Sequence, residues 1–133
     1  MFLKILCMKI FIMIAAFFSV VSGCKAQQQP NDAKVSIQNE HYQMGKTTYG
    51  VPVEYEVVIT NISHETLRLE GAKAGCGCTT PDFTANQEFK PGESVKVKIR
   101  FNGSVTGKYT RYTDITLSGG IVKQVSFSGE GIQ

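Results

Sequence analysis

The sequence predicts an all-β protein: a sandwich of antiparallel sheets with about seven strands, carried behind a cleavable leader. Three observations point there. Apolar residues beyond Ala33 recur with period two, the spacing of strands wetted on one face. Turn-forming clusters interrupt that alternation at short intervals, as in sandwiches. No stretch of the domain repeats its apolar residues with the helical period.

The elements follow in chain order. Residues 1–23 read as a lipoprotein signal peptide: Lys4 and Lys9 precede an uncharged apolar run from Ile10 to Val21. A helix over that run reaches only about 18 Å, short of the roughly 30 Å of hydrocarbon that a spanning helix must cross. The run ends in Val21-Ser22-Gly23-Cys24, which resembles the lipobox of bacterial lipoproteins, and makes Cys24 the expected lipid anchor. A diacylglyceryl thioether plus a third acyl chain would hold stably, since each buried methylene contributes about 0.8 kcal/mol. The alternative is a soluble secreted protein cut near Cys24. Residues 24–33 are polar, aperiodic and contain Pro30, the composition of a tether. Lys25 next to the anchor favours the outer membrane of a bacterial envelope, with the domain in the periplasm or at the cell surface.

Residues 34–133 hold the domain, enough chain for one core. Strands are expected around Val35 and Ile37, over Val53, Tyr55, Val57 and Ile59, and around Leu67 and Leu69. Others are expected over Val95, Val97, Ile99 and Phe101, from Tyr109 to Leu117, and around Val125 and Phe127. Thr79 to Phe83 supplies a further strand that Pro81 confines to an edge or a strand start. The turns are expected at Asn61-Ile62-Ser63, Pro91-Gly92, Asn102-Gly103-Ser104 and Ser118-Gly119-Gly120.

Charge excludes one class of partner. The chain carries a formal +3, but Lys4 and Lys9 leave with the leader. Twelve basic residues then face eleven acidic ones, a net +1, which does not suggest nucleic acid. Lys96, Lys98 and Arg100 form a basic stripe that Lys123 is expected to extend across the sheet, read as a solvated face. His41 and His64 fall in expected loops with no nucleophile motif beside them. No catalytic pattern and no cofactor motif is found, so a non-enzymatic protein without a cofactor is expected.

The runs EYEVVITNISHETLRLEGAKAGCGCTTPDF, FKPGESVKVKIRFNGSVTGKYTRYTDITLSGG and VKQVSFSGEG are similar to the DUF1573 family of bacterial envelope proteins. The matching features are a strand ending in Asn61, the segment Cys76-Gly77-Cys78-Thr79 and the Pro91-Gly92 turn. Ile62 and Ser63 stand where Thr and Gly are usual, so that turn is expected to differ in shape. The resemblance implies an immunoglobulin-like sandwich akin to major sperm protein domains, and no established activity.

Cys76 and Cys78 invite several readings. In a regular strand their Cα atoms would stand about 6.5 to 7 Å apart, at the limit for a disulfide. A bend at Gly77 would close the gap. In an oxidising compartment, with Cys24 consumed by lipid, these two thiols have only each other as intramolecular partners. The alternatives are a Cu(I) site at Cys76 and Cys78, with Met44, His41 or His64 assisting, and a redox pair with Lys73 as the only close cation. Structural zinc is not expected from a lone CxC. The expected function is a membrane-anchored interaction or scaffolding module, binding an unidentified envelope protein through sandwich edges or loops. The alternative is a thiol site for copper or electrons. The pattern does not address oligomeric state.

Overall fold

The alternating apolar residues form the inner faces of two facing sheets. The computed structural model describes residues 34–133, so the predicted leader, the tether and Cys24 lie outside the described residues. The strands are β1 (Val35–Gln38), β2 (His41–Thr48), β3 (Val53–Asn61), β4 (Leu67–Ala74), β5 (Thr79–Asp82), β6 (Gln87–Phe89), β7 (Ser94–Phe101), β8 (Gly107–Leu117) and β9 (Ile121–Ile132). One sheet has four strands in the order β1-β3-β7-β5, and the other five in the order β2-β9-β8-β4-β6.

The central pair β3 and β7 shows why the pattern dictates the fold. Tyr55, Val57 and Ile59 of β3 and Val95, Val97, Ile99 and Phe101 of β7 are buried, while Glu54, Lys96, Lys98 and Arg100 between them are exposed. They pair antiparallel, with Tyr55 opposite Ile99 and Val57 opposite Val97. Leu69, Ile115, Leu117, Val125 and Phe127 meet them from the second sheet. Burying each such side chain contributes about 1.5–3 kcal/mol. The rings of Phe101, Tyr109 and Phe127 gather in the core, with centroids 4.9 to 6.2 Å apart at tilted angles.

Four expectations need correction. The described residues form nine strands, because β2 and β6 join the seven expected. His41 therefore opens a strand rather than lying in a loop; His64 does lie in a bend. The sheets are not wholly antiparallel, since β2 runs parallel to β9. Lys123 sits on β9 in the five-stranded sheet, so it does not extend the Lys96, Lys98, Arg100 stripe of β7.

The register places the links at two ends. At one end the chain enters at Lys34, and residues 62–66, 90–93 and 118–120 turn between strands. Pro91-Gly92 makes a turn there, with Gly92 at φ 84° and Glu93 N–H donating to the Lys90 carbonyl at 2.9 Å. At the opposite end lie residues 49–52, 75–78 and 102–106 and the C-terminus. Two of these links touch at Gly103, where φ is 73° and an added Cβ would run into the Val51 backbone.

Candidate functional site

The far end, away from Lys34, is the first candidate. Link 75–78 carries the chain from β4 in one sheet to β5 in the other. Gly75 N–H donates to the Tyr112 carbonyl at 3.0 Å, and Asn102 N–H donates to the Cys78 carbonyl at 3.0 Å, so both sheets grip the link. Thr79 N–H reaches back to the Cys76 carbonyl at 3.3 Å, closing a four-residue turn. That turn draws the two Cα atoms to 5.3 Å, and Cys76 and Cys78 are joined as a disulfide. Gly77 stays out of the left-handed region, so the turn itself supplies the bend expected of the glycine. Both cysteines are half-buried. The hydroxyl of buried Thr79 lies 3.5 Å from the Cys76 sulfur and 3.8 Å from that of Cys78.

The residues suggested as helpers for a metal do not gather there. His64 belongs to the opposite end, and its loop is closed by Asn61 and Ser63. His41 Nδ1 is hydrogen bonded to Ser126 Oγ at 2.8 Å on β2 and β9, and Met44 packs on the core with Tyr109 Oη donating to its sulfur at 3.8 Å. Strands β9 and β8 separate β2 from β4, which leads into the cysteines. Among the described residues no group of three His, Cys, Asp or Glu side chains forms a metal cluster. Gly75 bonds to Tyr112, and the preceding residue on β8, Arg111, has an Nε buried without a hydrogen-bond partner. Lys73, the cation expected there, is exposed on β4 opposite Asp114.

Three large apolar residues are exposed at this same end: Tyr49 (54%), Val51 (50%) and Ile132 (41%). Backbone bonds hold them together, with Tyr49 N–H donating to the Ile132 carbonyl at 2.7 Å and Val51 N–H to the Thr48 carbonyl at 3.1 Å.

Asn61 is fully buried at the other end, and its side chain is structural. Its Nδ2 donates to the Glu65 carbonyl at 2.7 Å and the Phe89 carbonyl at 3.0 Å. Its Oδ1 accepts from Ser63 N–H at 2.9 Å and Ser63 Oγ at 2.7 Å. Ser63, the departure from the family pattern, thus closes the turn with its own hydroxyl.

The sheet edges are blunted. β1 and β6 have four and three residues, β5 carries Pro81, and β2 is broken by an irregularity between Gln43 and Gly45. Short edges, proline and bulges all oppose pairing with another strand. A second candidate is a groove of about 490 Å³ on the five-stranded sheet, over β2, β9 and β8, with Gln43, Lys46, Lys108, Thr110, Ser128 and Glu130 around it.

No curated protein matches the sequence. Among solved structures, PapD-like domain 7 of human CEP192 is similar at TM-score 0.66 and 16% identity, over 86% of this chain and 96% of that one. The VesB protease of Vibrio cholerae aligns at TM-score 0.60 and 15% identity, over 77% of this chain and 32% of that one. A protein of unknown function from Porphyromonas gingivalis aligns at TM-score 0.60 and 17% identity, over 72% of this chain and 46% of that one. The chain thus spans less than half of the last two, and such identities speak to fold alone. They place the nine strands on the immunoglobulin-like, PapD-like plan. A family model described as a protein of unknown function, DUF1573, matches residues 35–130, and the chain belongs to that family.

Proposed function

We propose that this protein is a non-enzymatic envelope lipoprotein, fastened through Cys24, whose sandwich offers its far end to another envelope protein. One observation carries the reading. The exposed apolar residues Tyr49, Val51 and Ile132 sit together at the end opposite Lys34, where the tether joins the domain. A domain tethered at one end presents the other outward. Blunted edges leave loops as the better docking surface, and amphipathic tyrosine suits such contacts. The Cys76–Cys78 bridge braces the neighbouring link, so less conformational entropy is lost on binding.

A photo-activated cross-linker placed at Val51 of the full chain in intact cells tests this, with His64 as the control position. The expected result is a discrete cross-linked protein from Val51 and none from His64. Equal products from both positions, or from neither, would defeat the reading. Labelling with an alkyne fatty acid checks the anchor: the label is expected on the wild type and absent from Cys24→Ser.

Thiol exchange at Cys76–Cys78 is the second reading, favoured by half-buried sulfurs joined across a single residue. Alkylation after equilibration in graded glutathione buffers separates the readings. A bridge that stays closed in strong dithiol removes exchange, and with it Cu(I) uptake by the open pair.

A further inference from the structure

We infer that the outer face of the five-stranded sheet carries a binding groove for a short anionic saccharide, lined by Gln43, Lys46, Lys108, Thr110 and Ser128. This inference concerns a different surface from the far-end loops and does not depend on them.

The groove is built by register. Three rows cross β2, β9 and β8: Gln43, Ser128 and Thr110; then Gly45, Gly129 and Tyr109; then Lys46, Glu130 and Lys108. The outer and inner residues of these strands alternate, so Lys108, Thr110 and Tyr112 point outward while Tyr109 and Thr113 are buried. In the middle row Tyr109 points inward and β2 and β9 carry glycines, so backbone forms the floor between the two polar rows. Gly45 has φ 70° at the irregularity in β2. A Cβ on Gly129 would stand 2.6 Å from the Tyr109 hydroxyl and 2.8 Å from the Gly45 carbonyl oxygen. Neither position accepts a larger residue without rearrangement. The volume of about 490 Å³ falls within the roughly 300–1,000 Å³ of small-ligand clefts.

The polar groups around this depression are uncommitted. Among the described residues, the side chains of Gln43, Lys46, Lys108, Thr110, Ser128 and Glu130 make no hydrogen bond or ion pair with the protein. Glu130 faces Lys46 on one side and Lys108 on the other, positions from which opposite charges normally reach each other. The four-stranded sheet behaves differently. There Arg100 binds Glu54 at 2.6 Å, Lys96 binds Glu56 at 2.9 Å, and Thr60 and Ser94 share a hydrogen bond of 2.8 Å. On the five-stranded sheet itself Gln124 donates to Asp114 at 2.9 Å, His41 meets Ser126 at 2.8 Å and Arg68 meets Glu70 at 3.5 Å, so the unpaired polar groups are confined to the groove.

Their chemistry selects the ligand. Two ammonium groups against one carboxylate leave a positive excess, while an amide and two hydroxyls offer donors and acceptors for a polyhydroxylated molecule. Tyr112, 51% exposed, follows Thr110 on the same side of β8 and gives a ring for the C–H face of a pyranose. No aliphatic side chain lines the groove to anchor a peptide. A carboxylated sugar meets each of these groups with its complement.

The test is a nuclear magnetic resonance titration of the full chain with digalacturonate, with its carboxyl-reduced neutral disaccharide, and with acetate. Shifts are expected at Lys46, Lys108, Thr110, Tyr112 and Ser128 with digalacturonate, weakening with added salt. Lys46→Gln and Lys108→Gln should each weaken binding about two- to fivefold, as expected for one exposed charge pair. Glu130→Gln should strengthen it, because a like charge is removed, and Tyr112→Ser should weaken it. Thermal melts of these exposed variants are expected to match the wild type. Absence of shifts at saturating sugar, equal binding of the neutral disaccharide, equal shifts with acetate alone, or shifts centred on Lys96, Lys98 and Arg100 would each overturn the inference.

Discussion

At the end where the chain enters, polar groups are bound to one another. Asn61 uses its whole amide on Glu65, Phe89 and Ser63. Lys34 meets Glu65 at 3.1 Å, and Arg68 N–H donates to Ser118 Oγ at 2.9 Å. At the other end a covalent bridge and a close backbone approach at Gly103 hold the links, while Tyr49, Val51 and Ile132 remain in solvent. The difference separates two jobs. Where a buried polar group such as Asn61 is fully satisfied, losing it orphans its partners, so the turn around it tolerates little change. Where the bridge, the backbone and the exposed Asn102–Ser104 turn do the holding, Tyr49, Val51 and Ile132 stay free to meet something else.

Breaking the first end should have the largest effect. Asn61→Ala removes the side-chain partner of the buried Phe89 carbonyl and of the Ser63 N–H and leaves the Glu65 carbonyl only Ser63 Oγ, and we expect it to cost about 3 kcal/mol. Urea unfolding of the variant measures it, and a loss under about 1 kcal/mol would show that Asn61 is no hub. Opening the bridge at the far end should cost less. A disulfide closing so short a loop constrains the unfolded chain by about 1.5 kcal/mol. Thermal melts with and without reductant should therefore differ by several degrees, and the Cys76→Ser, Cys78→Ser double variant should not respond to reductant. A larger cost than that of Asn61→Ala would reverse the contrast between the ends.

Legibility in the sequence divides along similar lines. Strands β3 and β7 announce themselves because one face of each is wet, so apolar and charged residues alternate without a fault. Strand β2 does not. HYQMGKTT turns Tyr42, Met44 and Thr47 inward at unequal spacing, because the irregularity before Gly45 shifts the parity. Strand β6, at three residues, is shorter than any period can show. The cysteine pair is visible as spacing, and its closure follows from a turn that Gly77 permits but does not force. What brings Tyr49, Val51 and Ile132 to one end is tertiary register, as is the bond of Gly75 to Tyr112 that holds the cysteine link. His41 meets Ser126 across 85 residues, a separation no local motif records.

The middle of the sandwich supplies the smallest and most diagnostic effect, since Tyr55 belongs to neither end. Its ring stacks on Tyr42 with centroids 4.8 Å apart and planes 1° from parallel, and it tilts against Phe127 at 5.5 Å. The hydroxyl is buried with no hydrogen-bond partner. Desolvation therefore raises its pKa well above the ordinary phenol value. The folded state keeps the phenol neutral, whereas the unfolded chain ionises it near about pH 10. The stabilisation tied to this shift is complete below that pH and is lost as pH rises, by up to about 1.4 kcal/mol per unit. Tyr55→Phe keeps the ring and deletes the orphan hydroxyl, so at neutral pH it should leave stability unchanged or raise it by up to about 1 kcal/mol. Above about pH 10 the variant should lose stability less steeply than the wild type. Urea titrations at neutral and alkaline pH measure both. A clear loss at neutral pH would mean that the hydroxyl has a partner, and parallel alkaline slopes would mean that Tyr55 ionises as freely in the fold as outside it. Because the substitution touches neither the Asn61 hub nor the sulfur bridge, it should also leave the response to reductant intact, which makes it the internal reference for both ends.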